Sequence, residues 1–255
     1  MLIPKWIKGV VDFSITIAAW IYFTLGFFIL FSPVYFLAFL FSGRRQESFQ
    51  KLNHLFFKSF FGLVQLITPG LDIDIDDEVY SIRSSVVVCN HISYLDPILL
   101  ISLFEKQKTI IKKTFLKVPV FGWLLKTSGY LFTSAEEAFN IFLLEGLETL
   151  KDYLARGGNL FIFPEGTRSR NGKLGRLNKG AFTIAKRCGA PIEVLMITNT
   201  NTLFAPGKFL FNTSVPNAIR IRRILHFEPD YHSETIFPQD LIDQVRKAFA
   251  SQHES

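Results

Sequence analysis

From Val10 to Phe41 the chain carries one charged residue, Asp12, in a run dominated by Ile, Leu, Phe, Tyr and Trp. About 20 apolar residues suffice to cross a hydrocarbon core roughly 30 Å thick, so this run is long enough to enter a bilayer. It is longer than the apolar core of a signal peptide, and Gly43-Arg44-Arg45 follows it where a small-residue cleavage site would stand; the reading is a retained anchor. Lys5 and Lys8 precede the run, and Arg44, Arg45, Lys51 and Lys58 follow it. The basic excess on the C-terminal side places the remainder of the chain in the cytoplasm. Two topologies stay open: a single span, or a monotopic pair of helices broken at Ser32-Pro33.

Residues 46–67 form an amphipathic pattern carrying Phe49, Leu52, Phe56, Phe57, Phe60 and Leu63, and Thr68-Pro69-Gly70 ends it. That aromatic face suits either the bilayer surface or the rest of the protein. The chain therefore divides into an apolar anchor with an amphipathic helix over 1–67 and a second domain over 68–255.

The second part alternates strand-like and helix-like segments. Leu71 to Ile75 reads as an edge strand, Ser85 to Cys89 as a buried strand, and Pro97 to Phe104 as a helix. Further strands are expected at 109–111, 130–133, 160–163, 192–198 and 219–227. Helices are expected over 136–156, closed by Gly157-Gly158, over 178–188 and over 241–251. This order predicts an α/β fold, a mixed and largely parallel sheet flanked by helices. Phe204 to Pro216, with Pro206, Gly207, Asn212 and Pro216, reads as a surface loop.

Net charge is +6 with pI near 9.3. The basic residues flank apolar runs and no nucleic-acid module is present, so an anionic membrane fits this charge better than nucleic acid. Cys89 and Cys188 sit in apolar contexts and make neither a disulfide framework nor a metal cluster. No set of His, Cys and carboxylate residues has ligand spacing, so no metal or cofactor is expected.

Two segments carry chemistry, each where a buried strand runs out. The first is Asn90-His91-Ile92-Ser93-Tyr94-Leu95-Asp96. A neutral imidazole can take the proton of an alcohol as that alcohol attacks a carbonyl, and a carboxylate on the other ring nitrogen fixes the tautomer. Asp96 is near enough in sequence for that role. Asp96-Pro97 is equally a helix N-cap with proline at the first helical position, and the two roles are compatible. Ser93 reads as a loop hydrogen-bonder rather than a nucleophile. The second segment is Phe163-Pro164-Glu165-Gly166-Thr167-Arg168-Ser169-Arg170. Gly166 permits a tight turn, and Arg168 offers a planar fork for phosphate or carboxylate. Lys173, Arg176 and Lys179 extend that basic character.

Together the two segments resemble the signature blocks of the glycerolipid acyltransferases, the 1-acylglycerol-3-phosphate acyltransferase-like group. The family's Asn-His-x-x-x-x-Asp block is present as residues 90–96, and its Phe-Pro-Glu-Gly-Thr-Arg-Ser block as residues 163–169. The stretch from Lys112 to Trp123, with Pro119 and Gly122, is similar to the basic block between them, and Ala190-Pro191-Ile192 loosely matches the fourth. The resemblance covers roughly residues 70–200.

It implies His91 as general base with Asp96 as partner. It places Glu165, Gly166, Thr167 and Arg168 at the acceptor's polar head, with Gly122 in the basic block and Lys112 or Lys113 on a phosphate. It implies an acyl-CoA or acyl carrier protein thioester as donor and membrane lipids as partners, without nucleic acid, at the cytoplasmic membrane. The expected reaction is acylation of a lysophospholipid hydroxyl, 1-acylglycerol-3-phosphate to phosphatidate. Many phosphate-acceptor members end the middle block in an acidic residue and an arginine, where Leu131 to Ala135 has neither. Glycerol 3-phosphate or a lyso-aminolipid thus remains an alternative acceptor, with Arg170, Arg176 or Lys179 otherwise compensating. Glu193 interrupts the apolar run of the fourth block, as an edge strand would tolerate. A lipid hydrolase would need a nucleophile, yet no Gly-x-Ser-x-Gly elbow surrounds Ser93 or Ser169. A non-catalytic lipid-binding protein is the remaining alternative.

Overall fold

The computed structural model describes residues 4–133, 146–169, 174–231 and 238–252. The chain forms two compact units. One comprises Met1–Ile75, Ile92–Glu105 and Ile197–Arg220, the other Asp76–His91, Lys106–Met196 and Ile221–Ser255. The units interleave along the sequence and do not follow a boundary at residue 67.

The first unit begins with α1 (Lys5–Ile21), a π-helical stretch (Tyr22–Phe31) and α2 (Ser32–Phe41). Together they make one continuous helix of 37 residues, long and apolar enough to cross a membrane. Ser32-Pro33 does not break it, contrary to one of the two topologies the sequence allows. The wider π turns precede Pro33, and Ser32 Oγ donates to Phe28 O at 2.6 Å, taking up a carbonyl near the proline. Proline then sits in the first turn of α2, where its missing N–H costs little.

α3 (Arg45–Ile67) returns along this helix, and its aromatic face packs within the protein. Tyr22 stacks on Phe56 with ring centroids 6.0 Å apart, Phe23 lies against Phe60 at 5.5 Å, and the buried Tyr35 hydroxyl donates to Asn53 Oδ1 at 2.6 Å. The other side of α3 packs on α5 (Leu95–Leu103). β1 (Leu71–Ile75) lies beside the first residues of β7 (Asn217–Phe227), with Asn217 N donating to Gly70 O at 2.9 Å.

The loop before β7 is anchored by the lone charge of the apolar run. Asp12 Oδ1 accepts from the amide and hydroxyl of Thr213, each at 2.8 Å, and from the amide and hydroxyl of Ser214, each at 2.9 Å. Thr16 Oγ1 adds a bond from Phe211 N at 2.9 Å. Residues 206–210 are exposed as a surface loop would be, whereas Phe211 and Thr213 are buried. A carboxylate in an apolar helix is tolerable only with its acceptor capacity filled, and this loop fills it.

The second unit holds α4 (Asp77–Ser81), β2 (Val86–Cys89), β3 (Gln107–Lys112), a 3₁₀ turn (Lys113–Lys117), α6 (Phe121–Thr127) and β4 (Leu131–Thr133). There follow helix α7, which covers residues 146–155, then β5 (Asn159–Ile162), α8 (Gly180–Cys188), β6 (Ile192–Thr198) and α10 (Pro238–Ser251). Between β6 and β7 the short α9 (Thr200–Leu203) belongs to the first unit. The strands are ordered β7-β6-β2-β5-β3-β4, and β2 runs parallel to both β5 and β6. β3 likewise runs parallel to β4 and β5. All four residues of β2 and of β5 are buried, which explains the apolar runs Val86–Cys89 and Leu160–Ile162; the buried Asn159 that opens β5 accepts from Ser85 N and donates to Ile82 O. Val86, Val88, Leu160, Ile162, Ile192 and Val194 meet α7, α8 and α10 in one core. The expected helix over 136–156 lies partly outside the described residues.

β6 is an interior strand, so Glu193 is not the edge residue the sequence allowed. Its side chain is buried and bonds His226 Nδ1 at 2.8 Å, with Arg223 at 3.8 Å. His226 and Arg223 on β7 compensate its Oε1, while Oε2 is buried with no hydrogen-bond partner among the described residues.

Candidate active site

In the second unit, β2 and β5 end side by side, and the segments after them fold onto each other. The His91 amide donates to Glu165 Oε1 at 3.0 Å, and Ser169 N donates back to His91 O at 2.8 Å. The half-buried His91 ring stacks on Phe163, with centroids 4.3 Å apart at 27°. This contact orients the imidazole and leaves part of it open. Gly166 lies at φ +68°, the left-handed conformation that the turn after Pro164 requires. Glu165 is a brace: Oε2 accepts from Gly175 N at 2.8 Å, and Asn178 N donates to Pro164 O at 2.8 Å. One carboxylate thus ties the backbone of the candidate base to the basic loop beyond the turn. Thr167 is exposed and Arg168 half-buried on the same turn.

Lys112 and Lys113 are exposed where β3 passes into the 3₁₀ turn. Among the described residues, no hydrogen bond or ion pair joins either to the His91–Glu165 pair. Gly122 is buried at the start of α6, where an added Cβ would run into the Leu116 carbonyl oxygen. Its geometry is that of a packing position. Val120, just before it, sits at φ +63° in a tight turn whose Phe121 N donates to Pro119 O at 2.6 Å. Arg170 and Lys173 lie outside the described residues.

In the first unit, Asp96 is fully buried. Its Oδ2 accepts from the amides of Ile92 and Ser93, each at 2.7 Å, and its Oδ1 accepts from Thr200 Oγ1 at 2.5 Å. α5 begins at Leu95 with Tyr94 as its cap residue and no side-chain cap, so Asp96 is not the N-cap of that helix. It reaches backward instead and closes the loop that follows His91. Ser93 behaves as a loop hydrogen-bonder, its buried hydroxyl donating to Phe204 O at 2.9 Å. Thr200 is the member that sequence reasoning misses. It opens a four-residue helix 104 residues from its partner and belongs to no motif.

A half-open imidazole on an aromatic face, with a braced backbone and arginine in the adjoining turn, suits proton abstraction from a neutral hydroxyl beside an anion. Among the described residues, no group of His, Cys, Asp and Glu could hold a metal ion.

Residues 71–198 match the family model described as Acyltransferase. The 1-acyl-sn-glycerol-3-phosphate acyltransferase BAT2 of Brassica napus chloroplasts is 32% identical over 165 residues, covering 65% of this chain and 45% of that one. The 1-acyl-sn-glycerol-3-phosphate acyltransferase of Saccharomyces cerevisiae is 34% identical over 162 residues, covering 61% and 52%. The chain thus spans about half the length of such relatives. The crystal structure of the acyltransferase PlsC from Thermotoga maritima shares this fold, with TM-score 0.73 and 23% identity over 97% of this chain and 98% of that one.

Proposed function

The chain belongs to the acyltransferase family, and from that premise we propose that it moves a long acyl chain from a thioester to the free hydroxyl of a lysophospholipid, 1-acylglycerol-3-phosphate first. The relatives' names support this acceptor. The observation that carries the reading is the joining of the two motifs at His91 and Glu165, 3.0 Å apart, at neighbouring strand ends.

His91 takes the proton of the acceptor hydroxyl as its oxygen bonds to the thioester carbonyl carbon. The tetrahedral intermediate then collapses, the C–S bond breaks, and the imidazolium returns the proton to the leaving thiolate. A thioester is already activated, so direct attack needs no covalent enzyme intermediate. Asp96, on the motif's spacing, holds the imidazole tautomer. General-base help contributes about 100- to 10,000-fold, and holding the two substrates together supplies much of the rest. Glu165, Gly166, Thr167 and Arg168 receive the acceptor's polar head, and Lys112 or Lys113 its phosphate. The donor is acyl-CoA or acyl carrier protein. The apolar helix holds the enzyme at the cytoplasmic membrane, where lysolipid resides.

The test supplies membranes carrying the full chain with labelled acyl thioester and a panel of lysophosphatidate, glycerol 3-phosphate and other lysolipids. Labelled phosphatidate is expected, falling at least 100-fold in His91→Ala. Undiminished transfer in that variant overturns the mechanism, and free fatty acid without ester identifies a hydrolase.

A further inference from the structure

In the second unit, a cavity of about 260 Å³ opens between the 174–179 loop and α10. Among the described residues three cations line it, Arg176 and Lys179 from the loop and Arg246 from the helix, with the side-chain amides of Asn178 and Gln239 beside them. Buried Leu177 and Ile242 form its apolar part. Among the described residues no carboxylate lines it and none of the three cations is in an ion pair. Like charges gathered in one concavity repel, by about 1 kcal/mol per pair at 4 Å even in water, so the arrangement favours a bound anion. The volume lies below the roughly 300–1,000 Å³ of pockets that enclose a whole small ligand, and so suits one charged group.

We propose that this cavity is a phosphate-binding subsite. Two guanidinium forks and one ammonium match a phosphate monoester, which accepts several charge-assisted hydrogen bonds at once. Its wall is fastened to the active-site turn, since Glu165 Oε2 accepts from Gly175 N and Pro164 O accepts from Asn178 N, both at 2.8 Å. A phosphate held there is registered on the backbone that carries His91. This role as a substrate subsite rests on the acyl-transfer reading. The phosphate is either the acceptor's headgroup, which this cavity would then hold in place of Lys112 or Lys113, or the 3′-phosphate of a coenzyme A thioester.

Thermal denaturation of the full chain in detergent, with pyrophosphate titrated at constant ionic strength, reads the site without any transfer. Pyrophosphate is expected to raise Tm along a saturating curve. Arg246→Gln and Lys179→Gln, which remove charge and keep bulk, are expected to weaken that curve at least tenfold. A wild-type protein that pyrophosphate does not stabilise, or variants with an unchanged curve, overturn the proposal.

The kinetic arms identify the source. A KM rise of fivefold or more in Arg246→Gln for acyl-CoA, absent with acyl-dephospho-CoA, assigns the donor's phosphate. The same rise for lysophosphatidate, absent with monoacylglycerol, assigns the acceptor's. Equal penalties on substrates with and without the phosphate overturn the subsite. Should the wild-type protein transfer no acyl group at all, the proposed function falls, while a pyrophosphate response lost in Arg246→Gln still upholds the anion site.

Discussion

Thr200 Oγ1 donates to Asp96 Oδ1 at 2.5 Å, both residues being fully buried. With the Ile92 and Ser93 amides on Oδ2, the carboxylate has hydrogen bonds on both oxygens. Thr200→Val keeps the shape and removes the donor. Hydrogen bonds to charged groups contribute about 1.5–3 kcal/mol, so this variant is expected to lose stability on that scale. Acyl transfer should fall roughly tenfold, and Thr200→Ser should restore both quantities. Melting curves and initial rates of the three proteins check it; a Thr200→Val enzyme at wild-type rate would remove Thr200 from the site.

Asp12 fills its Oδ1 with four donors from Thr213 and Ser214. Asp12→Ala strands those groups and should release the loop. Amide exchange at Thr213 and Ser214 is the readout, with protection expected to drop at least tenfold while β2 amides stay protected. Unchanged protection would show that packing alone holds the segment.

At Gly122 a methyl group has no room, because the obstacle is the Leu116 backbone rather than a flexible side chain. Gly122→Ala is expected to cost about 1–3 kcal/mol, which lowers Tm by several degrees in a chain of this size. Gly62, with nothing near its Cβ, is the matched control; on α3 its replacement by Ala should be neutral or stabilising. Equal melting points for the two variants would contradict the close approach at Gly122.

Burial, aided by the charge of Arg156, pushes the Lys108 ammonium down to about 8, even though the ammonium lies 4.3 Å from the Tyr153 ring centroid. The unfolded chain holds this proton up to about 10.4. Between those values the unfolded state binds more protons, so this group makes stability rise with pH from about 8 to 10, its penalty being full below 8. Lys108→Met should therefore be more stable than wild type at pH 7, and the gap should narrow towards pH 10. Parallel melting curves across that range would refute the assignment.

The parts of the site legible in the sequence are those whose partners lie close along the chain or whose residue types are rare in combination. His91 and Glu165 each stand at the end of an apolar β-branched or aromatic run, so strand ends and motif could be found together. Asp96 was legible as a residue but not in its geometry, because an Asp-Pro pair at a helix start reads as a forward cap, whereas the carboxylate turns back to Ile92 and Ser93. Thr200 and the Asp12 partners were invisible, since pairings 104 and 201 residues apart leave no periodicity. Glu193 was misplaced for a related reason. Its compensation by His226 comes from another strand, and a lone charge within an apolar run looks like an edge. At Pro33 the local rule failed because a π-helical stretch upstream absorbed the irregularity.

The union of Asp12 with Thr213 also sets an order of assembly during synthesis. The ribosome makes the carboxylate 201 residues before its ligand, an interval of roughly 10–40 s at about 5–20 residues per second. Throughout that delay the carboxylate lacks the Thr213 and Ser214 donors that fill its Oδ1 in the folded chain, and a buried carboxylate without donors is costly. The first turns of the apolar helix therefore gain their hydrogen-bonded partner only when a distant loop arrives, and the segment made first is completed by one of the last to be made.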